Sequence, residues 1–259
     1  MIGTRMRPWA RLWIGLVFAA VLLGNGCAGG AVEVASKAKA DEARAYGVHS
    51  ARTRPLPDLG IPPTPTNLTP GRYATNEFEP SLSFRVGKGW AINNPEKTDH
   101  FSLYNRDFAR SDKDPGSVLA FVDVRMVFDA RRPAEGNVSS RPKNLVAWFQ
   151  RHPGLHVSKP EPTTVGGVSA KRFEASVSSL PKERLDECPH CLPVFGLQYQ
   201  EPVSIVKGFK QRITIVEGLR GETVAIILYA PPGQFDSYLP GAQGVLDSVE
   251  WDGAHGTSS

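Results

Sequence analysis

The sequence from about Phe78 onward is divided into short apolar runs by turn-forming residues. Runs such as 82–86, 101–105 and 223–229 are bounded by Gly, Pro, Asn or Asp. Runs of this length with such boundaries are typical of β-strands joined by turns. The sequence Val-Gly-Gly-Val at 165–168 predicts one of these turns. This part of the chain is therefore expected to form a mostly antiparallel sheet.

Two segments have helical periodicity instead. A short helix is predicted over 144–151, because its apolar residues lie three to four positions apart. A second amphipathic helix is predicted over 234–246, and Pro240 is expected to break it. Strands with a few helices to cover them indicate an α+β fold.

One strand is predicted to be long. In the segment 119–128, apolar residues alternate with Asp123 and Arg125, and Asp129 follows on the polar side. Alternation of this kind predicts a strand with one buried face and one face in water.

The N-terminus has the layout of a secretory signal. Arg5, Arg7 and Arg11 precede an apolar run over 12–23 without any acidic residue. This run is shorter than the about 20 residues that span a bilayer. The sequence that follows, Leu23-Gly24-Asn25-Gly26-Cys27, resembles the lipobox of bacterial lipoproteins, although Gly24 stands where that pattern has Leu. The resemblance implies that Cys27 becomes the acylated N-terminus.

The charge of the chain depends on this signal. Residues 1–26 hold three arginines and no acid, so their removal lowers the net charge from +4 to about +1. The remaining chain has no basic cluster with which to bind a phosphate backbone. Nucleic acid is therefore not an expected partner.

The predicted organisation has four parts. A signal peptide (1–26) is followed by a lipid-anchored, disordered tether (27–72), in which Pro55 to Pro70 holds six prolines. A single α+β domain is predicted over 73–252, and a disordered tail over 253–259.

The order of elements in this domain resembles that of PsbP-like proteins and LpqN-type bacterial lipoproteins. The resemblance depends on the pair Gly89-Trp90, a helix before the Gly-Gly turn, and a closing helix followed by Ser-Val-Glu-Trp at 248–251. It implies a curved antiparallel sheet covered by helices, as in an α/β/α sandwich. It also implies binding or assembly without a shared catalytic centre, so no site residue is transferred.

Cys188 and Cys191, with Pro and His between them, resemble the active-site pair of the DsbA family of thiol oxidants. That family requires a buried strand before the motif and a helix after it. Here 185–187 is not apolar and Pro193 disfavours a following helix. A structural disulfide that braces a long loop is the preferred interpretation, and redox catalysis or metal binding are the alternatives.

A metal site would have one concrete form. His152 and His156, together with the two cysteines, offer a Cys₂His₂ zinc set. Because a Pro-Gly turn separates the histidines, exposed loop histidines are favoured and no metal is predicted.

Other candidate chemistry is dispersed along the sequence. Asp123, Asp129, Glu174 and Glu217 are expected on solvated strand faces. The tryptophans are expected mainly in the core, with a ligand pocket as the alternative. The candidates are Trp90, Trp148 and Trp251.

The combined interpretation is a lipid-anchored, extracytoplasmic protein of the bacterial cell envelope that binds or assembles with a partner. No catalytic centre or cofactor is expected. The expected partners are the membrane, through the lipid on Cys27, and either an envelope protein or a small apolar ligand. The alternative is a thiol-disulfide oxidoreductase that uses Cys188 and Cys191.

Overall fold

A computed structural model describes residues 52–59, 65–94, 96–109, 116–130, 137–180, 188–198 and 202–253. The predicted signal peptide, Cys27 and residues 254–259 lie outside these ranges.

The described residues form seventeen strands, two α-helices and a 3₁₀ helix at Arg106–Phe108. The first nine strands are β1 (Arg54–Pro55), β2 (Thr66–Asn67), β3 (Gly71–Ala74), β4 (Leu82–Val86), β5 (Trp90–Asn94), β6 (His100–Asn105), β7 (Val118–Asp123), β8 (Met126–Phe128) and β9 (Val138–Ser140). The later strands are β10 (Leu155–Val157), β11 (Glu161–Val165), β12 (Val168–Val177), β13 (Cys191–Gly196), β14 (Val203–Val206), β15 (Lys210–Leu219), β16 (Glu222–Ala230) and β17 (Glu250–Trp251). The α-helices are α1 (Leu145–Gln150) and α2 (Pro232–Leu246).

A nine-stranded antiparallel sheet forms the centre of the fold. Its strands follow the order β10-β12-β15-β16-β7-β6-β5-β2, and β11 also pairs with β12. The Gly-Gly turn joins β11 to β12, with Gly166 and Gly167 both at positive φ, a backbone conformation that glycine adopts without strain. The predicted turn is confirmed.

Two four-stranded sheets accompany the central one. The first small sheet has the order β1-β3-β4-β17, and the second has the order β14-β13-β8-β9. Among the described strands, only β1 and β3 pair in parallel.

Each face of the central sheet carries one small sheet and one helix. Along β16, Val224 and Ile226 pack into one core, whereas Ala225 and Ile227 pack into another. The first core contains residues of the first small sheet and of α2, and the second core contains residues of the second small sheet and of α1. The alternation along the strand thus separates two apolar layers.

The predicted helices are both present, and one prediction about them is wrong. The helix α1 lies within the predicted range, and α2 continues through Pro240. A proline inside a helix costs about 3 kcal/mol. Burial of Phe235, Tyr238, Val245 and Leu246 against the first core offsets that cost.

The predicted start of the folded domain at residue 73 is also wrong. Leu56, Leu59 and Leu68 are buried in the first core, at 3%, 5% and 5% exposure. The backbone N–H of Leu56 donates to Ala74 O at 3.0 Å, and that of Leu68 donates to Trp90 O at 2.9 Å. Three leucines between the prolines supply enough apolar surface to order these described residues, so they do not belong to a disordered tether.

The long strand predicted over 119–128 is divided in two. The strand β7 ends at Asp123 in the central sheet, and β8 begins at Met126 in the second small sheet. Both faces of β7 are buried, and Asp123 itself is 1% exposed, so its predicted solvated face is wrong. A strand covered on both faces cannot be recognised by alternation.

The fold is α+β, and its central sheet is antiparallel as predicted. Helices cover less of that sheet than expected, because the two small sheets occupy part of each face. In the part of the chain that the structure describes, no helix is long and apolar enough to cross a membrane.

Candidate ligand-binding cleft

A cleft of about 620 Å³ lies between α1 and the paired strands β8 and β9. Its wall includes Phe128, Asp129, Val138, Ser139, Trp148 and Arg151. We call it the α1 cleft. Its volume falls within the range of small-molecule sites, which is about 300–1,000 Å³.

The helix α1 supplies one wall of the α1 cleft. The side chain of Asn144 caps the helix, and its Oδ1 accepts a hydrogen bond from Ala147 N at 2.8 Å. Leu145 and Phe149 are buried in the second core. Because the opposite side of the helix is fixed in this way, Trp148 and Arg151, three residues apart, line the same cleft.

Trp148 is held by two aromatic neighbours. Its ring centroid lies 5.0 Å from that of Phe149 and 5.0 Å from that of His152, both in edge-to-face geometry. Such pairs are worth about 0.5–1.5 kcal/mol beyond area burial. The indole is only partly buried, so it gives the cleft a fixed aromatic surface.

The opposite wall is the hairpin-like pair of β8 and β9. Phe128 pairs with Val138, and the backbone N–H of Asp129 donates to Asn137 O at 2.7 Å. Among the described residues, Val138 is the exposed large apolar side chain, at 45% exposure. The α1 cleft therefore combines a buried aromatic ring, an exposed aliphatic side chain and a partly exposed indole.

His152 lies directly behind Trp148. It is 4% exposed, and its Nδ1 accepts a hydrogen bond from Gly154 N at 3.1 Å. Burial lowers the pKa of His152 to about 4, so the imidazole is neutral at pH 7. The favoured interpretation of this residue as an exposed loop histidine is wrong. Its apolar surroundings include Leu192, which approaches the same turn at Gly154.

The structure does not bring a zinc set together. His156 is exposed on β10, on the far side of the turn from buried His152. Within the described residues there is no group of three or more His, Cys, Asp or Glu side chains that could hold a metal ion.

Cys188 and Cys191 are joined by a disulfide, with their Cα atoms 5.3 Å apart. The backbone N–H of Cys191 donates to Cys188 O at 3.1 Å, which closes a turn. This turn leads directly into β13, a buried strand that the sequence reasoning assigned to a loop. A thiolate at Cys188 would therefore lack the helix N-terminus on which the DsbA-type motif depends.

The four candidate acids lie apart. Asp123 is buried, and its Oδ2 accepts from Arg125 Nε at 2.7 Å. Burial raises the pKa of Asp123, although Arg125 acts in the opposite direction. Glu174 and Glu217 are exposed, and Glu174 pairs with Arg212 at 3.2 Å. Asp129 is the one of the four that lines the α1 cleft.

Of the three candidate tryptophans, two lie in the core and one lines the cleft. Trp90 and Trp251 are core residues, at 3% and 2% exposure, and Trp251 Nε1 donates to Val165 O at 2.9 Å. Trp148 alone among these three lines the cleft.

No protein-family model matches this sequence, and no curated protein matches it. Similar solved structures include the solution structure of cyanobacterial PsbP (CyanoP) from Synechocystis sp. PCC 6803, with 8% identity and a TM-score of 0.37. That similarity covers 71% of this chain and 94% of the other. They also include LpqN of Mycobacterium tuberculosis, described as involved in cell envelope biogenesis, with 12% identity and a TM-score of 0.32. That one covers 72% of this chain and 90% of LpqN.

These two structures come from the two groups that the sequence resemblance named. Similarity at this level carries no argument about function.

Sequence reasoning identified Trp148 and Asp129 but did not place them together. The wall formed by β9 was missed, because Val138, Ser139 and Ser140 are all exposed and show no alternation. Arg151 was recognised as the end of a helix. The available signal was its spacing of three residues from Trp148, which puts both side chains on one face of that helix.

Proposed function

We propose that the chain is a lipid-anchored, extracytoplasmic protein that holds a small ligand in the α1 cleft and has no catalytic centre. The observation that carries the binding role is the cleft itself, with about 620 Å³ of space beside the partly exposed ring of Trp148. The basic and apolar N-terminus and the lipobox-like sequence before Cys27 support the location.

A binding role also agrees with the arrangement of titratable groups. Catalysis by paired acids or by a nucleophile and a base needs side chains within hydrogen-bond reach of each other. Asp129 lines the α1 cleft, whereas Asp123 and Glu174 already pair with arginines elsewhere. This dispersal favours a ligand carrier or a receptor over an enzyme.

The anchor is tested with the full chain expressed in a bacterial host that processes lipoproteins. We expect the N-terminal peptide of the membrane-bound protein to begin at Cys27 and to carry the added mass of acyl chains. Cys27→Ser should release the protein into the soluble extracytoplasmic fraction. A mature N-terminus at any other residue would show that the anchor proposal is wrong.

The binding role is tested with the full chain in a non-ionic detergent. Flat aromatic probes, such as 2-naphthoate and 2-naphthylmethanol, are titrated while ligand NMR signals are recorded. We expect saturable binding that Trp148→Ala abolishes. The control Phe209→Ala removes a partly buried ring that is not part of the cleft wall, and it should leave binding intact. Binding that survives Trp148→Ala would contradict the assignment of the cleft.

The double variant Cys188→Ser and Cys191→Ser separates a binding protein from a thiol-disulfide oxidoreductase. A binding protein keeps its affinity for the probes when the disulfide is removed, because the cysteines do not line the cleft. The comparison is made by titrating wild-type and variant chains side by side. Oxidation of a dithiol peptide to its disulfide by the wild-type chain, with the Cys188–Cys191 disulfide reduced in exchange and the activity lost in the variant, would favour the enzyme instead.

A further inference from the structure

We infer that the α1 cleft selects a small organic anion, with a flat apolar body and a carboxylate or phosphate group. This inference rests on the proposed function, because it names the ligand class of the same cleft. It follows from which polar groups in the cleft wall are already engaged and which are left for a ligand.

Two residues of the cleft wall that carry acceptors, Asp129 and Asn137, are engaged within the protein. Asn137 O accepts from Asp129 N, and both Asp129 and Asn137 have further interactions in the folded chain. Asp129 is the acidic residue that would otherwise favour a cation. Asp129 is not without a partner in the folded chain, so it is not a free group for a cation.

Three side-chain donors in the cleft wall are not engaged. In the described part of the chain, the guanidinium of Arg151, the hydroxyl of Ser139 and the indole N–H of Trp148 have no hydrogen-bond or ion-pair partner. Arg carries five N–H donors in a planar fork that fits a carboxylate or phosphate. A wall that offers these donors and the positive charge of Arg151 is complementary to an anion.

The apolar part of the ligand is defined by the remaining wall. Trp148 presents a partly exposed ring, while Phe128 and Val138 lie on the opposite side. A flat ring or a conjugated segment makes the largest contact with an indole surface. Since Trp148 and Arg151 are one helical turn apart, such a ligand can contact the indole while its anionic group reaches the guanidinium.

The experiment is calorimetric titration of the full chain, in a non-ionic detergent, with three probes that share one ring system. These are 2-naphthoate, 2-naphthyl phosphate and the neutral 2-naphthylmethanol. Because Arg151 is exposed, its pairing with an anion is worth about fivefold in affinity and weakens with added salt. We therefore expect at least one anion to bind about fivefold more tightly than the neutral probe.

Two arginine variants test the source of this preference. Arg151→Gln should lower the affinity for the preferred anion to that of the neutral probe, and Arg151→Lys should restore part of the difference. The matched control is Arg85→Gln, which removes the same charge from an exposed position on β4, over the other face of the central sheet. It should leave all three affinities unchanged.

The outcomes separate this inference from the proposed function. Equal affinities for the three probes, lost together in Trp148→Ala, would overturn the anion inference while the binding role stands. No saturable binding of any probe would overturn both. A preference for 2-naphthoate over 2-naphthyl phosphate assigns the ligand as a carboxylate, and the reverse preference assigns a phosphate monoester. An anion preference that persists in Arg151→Gln contradicts the role of this arginine.

Discussion

The side-chain Oδ1 of Asn144 accepts a hydrogen bond from the backbone N–H of Ala147 at 2.8 Å, one turn before the cleft-lining residue Trp148. A helix of six residues is too short to be stable alone, so its cap and its packing together keep it folded. The geometry of the α1 cleft therefore depends on a residue that does not line it.

Replacement of this cap should weaken both stability and binding. We expect Asn144→Ala to lower the free energy of unfolding by about 1 kcal/mol, since Ala cannot accept from the helix N–H groups. Binding of a naphthalene probe should weaken in the same variant, because Trp148 and Arg151 lose their fixed support. Urea denaturation and probe titration measure the two effects. Asn144→Asp keeps the capping oxygen and is the control that should retain both properties.

A buried carboxylate organises the segment before β4. Glu96 is 8% exposed, and its Oε1 accepts from the backbone N–H groups of Asn76, Glu77 and Phe78 at 2.6, 2.8 and 2.9 Å. We expect Glu96→Ala to lower the free energy of unfolding by about 3 kcal/mol, because the loss leaves buried donors unsatisfied. Hydrogen exchange at residues 76–78 should accelerate in parallel.

Glu77→Gln is the control for Glu96, because Glu77 is exposed and the substitution also removes one acidic charge. It should change stability by less than about 0.5 kcal/mol, as is usual for surface sites. Equal effects of Glu96→Ala and Glu77→Gln would mean that the three backbone contacts do not stabilise the fold.

The leucines before β3 offer a direct test of where the folded domain begins. Leu56→Ala should lower the free energy of unfolding by about 2–3 kcal/mol, the cost of a cavity in a well-packed core. The matched control, Thr53→Ala, lies at an exposed position in the same segment and should have almost no effect. Thermal or urea denaturation of the two variants distinguishes a folded segment from a disordered leader, for which neither substitution would matter.

The depressed pKa of His152 makes stability depend on pH in a defined direction. Its pKa is about 4 in the folded state against 6.5 as the ordinary value. Between these values the unfolded chain binds a proton at His152 that the folded chain does not. The contribution of neutral His152 to the free energy of unfolding is therefore complete above pH 6.5 and is lost as the pH falls toward 4. The shift corresponds to at most about 3 kcal/mol.

His152→Gln should flatten the dependence on pH within this window. The measurement is urea denaturation of both proteins at several pH values from 7 to 4, and the quantity compared is their difference. That difference removes other contributions, such as the opposite effect of Asp123, whose raised pKa stabilises the fold on acidification. Parallel curves for the two proteins would show that His152 does not titrate in this way.

The sequence predicted those elements whose apolar residues show a clear period. The strand at 82–86 and the helix α1 were located correctly, because each has buried residues at regular spacing. A periodic pattern could not define β7, because it is buried on both faces, or β9, because it is exposed on both faces.

Prolines also concealed two folded regions. Pro193 lies inside β13 at a point where the pairing with β14 shifts register, and such irregular positions tolerate a residue that lacks an N–H group. In the segment around Leu56 and Leu68, the prolines suggested a spacer, although the leucines between them are core residues. Composition alone was misleading in both regions, because the placement of single apolar side chains decided their structure.

The α1 cleft required information that one sequence does not contain. Trp148 and Arg151 come from one helix, so their proximity follows from helical spacing. The opposite wall comes from strands that belong to a separate sheet, and their approach to α1 depends on how the second core packs. It is easier to predict from sequence patterns which helices and strands form than to predict which of their surfaces come into contact.

The pairing of β17 with β4 sets an order for the assembly of this protein. Trp251 pairs with Leu82, and Glu250 forms two ion-pair contacts with Arg72, so the final described strand completes a sheet that begins near residue 54. Contacts between such distant parts of a chain form late, since closing a long loop is entropically costly. A chain that emerges from a ribosome or a translocation channel N-terminus first cannot complete its first core until its last residues are free. The fold thereby delays its own completion until the whole domain has left the ribosome or the channel.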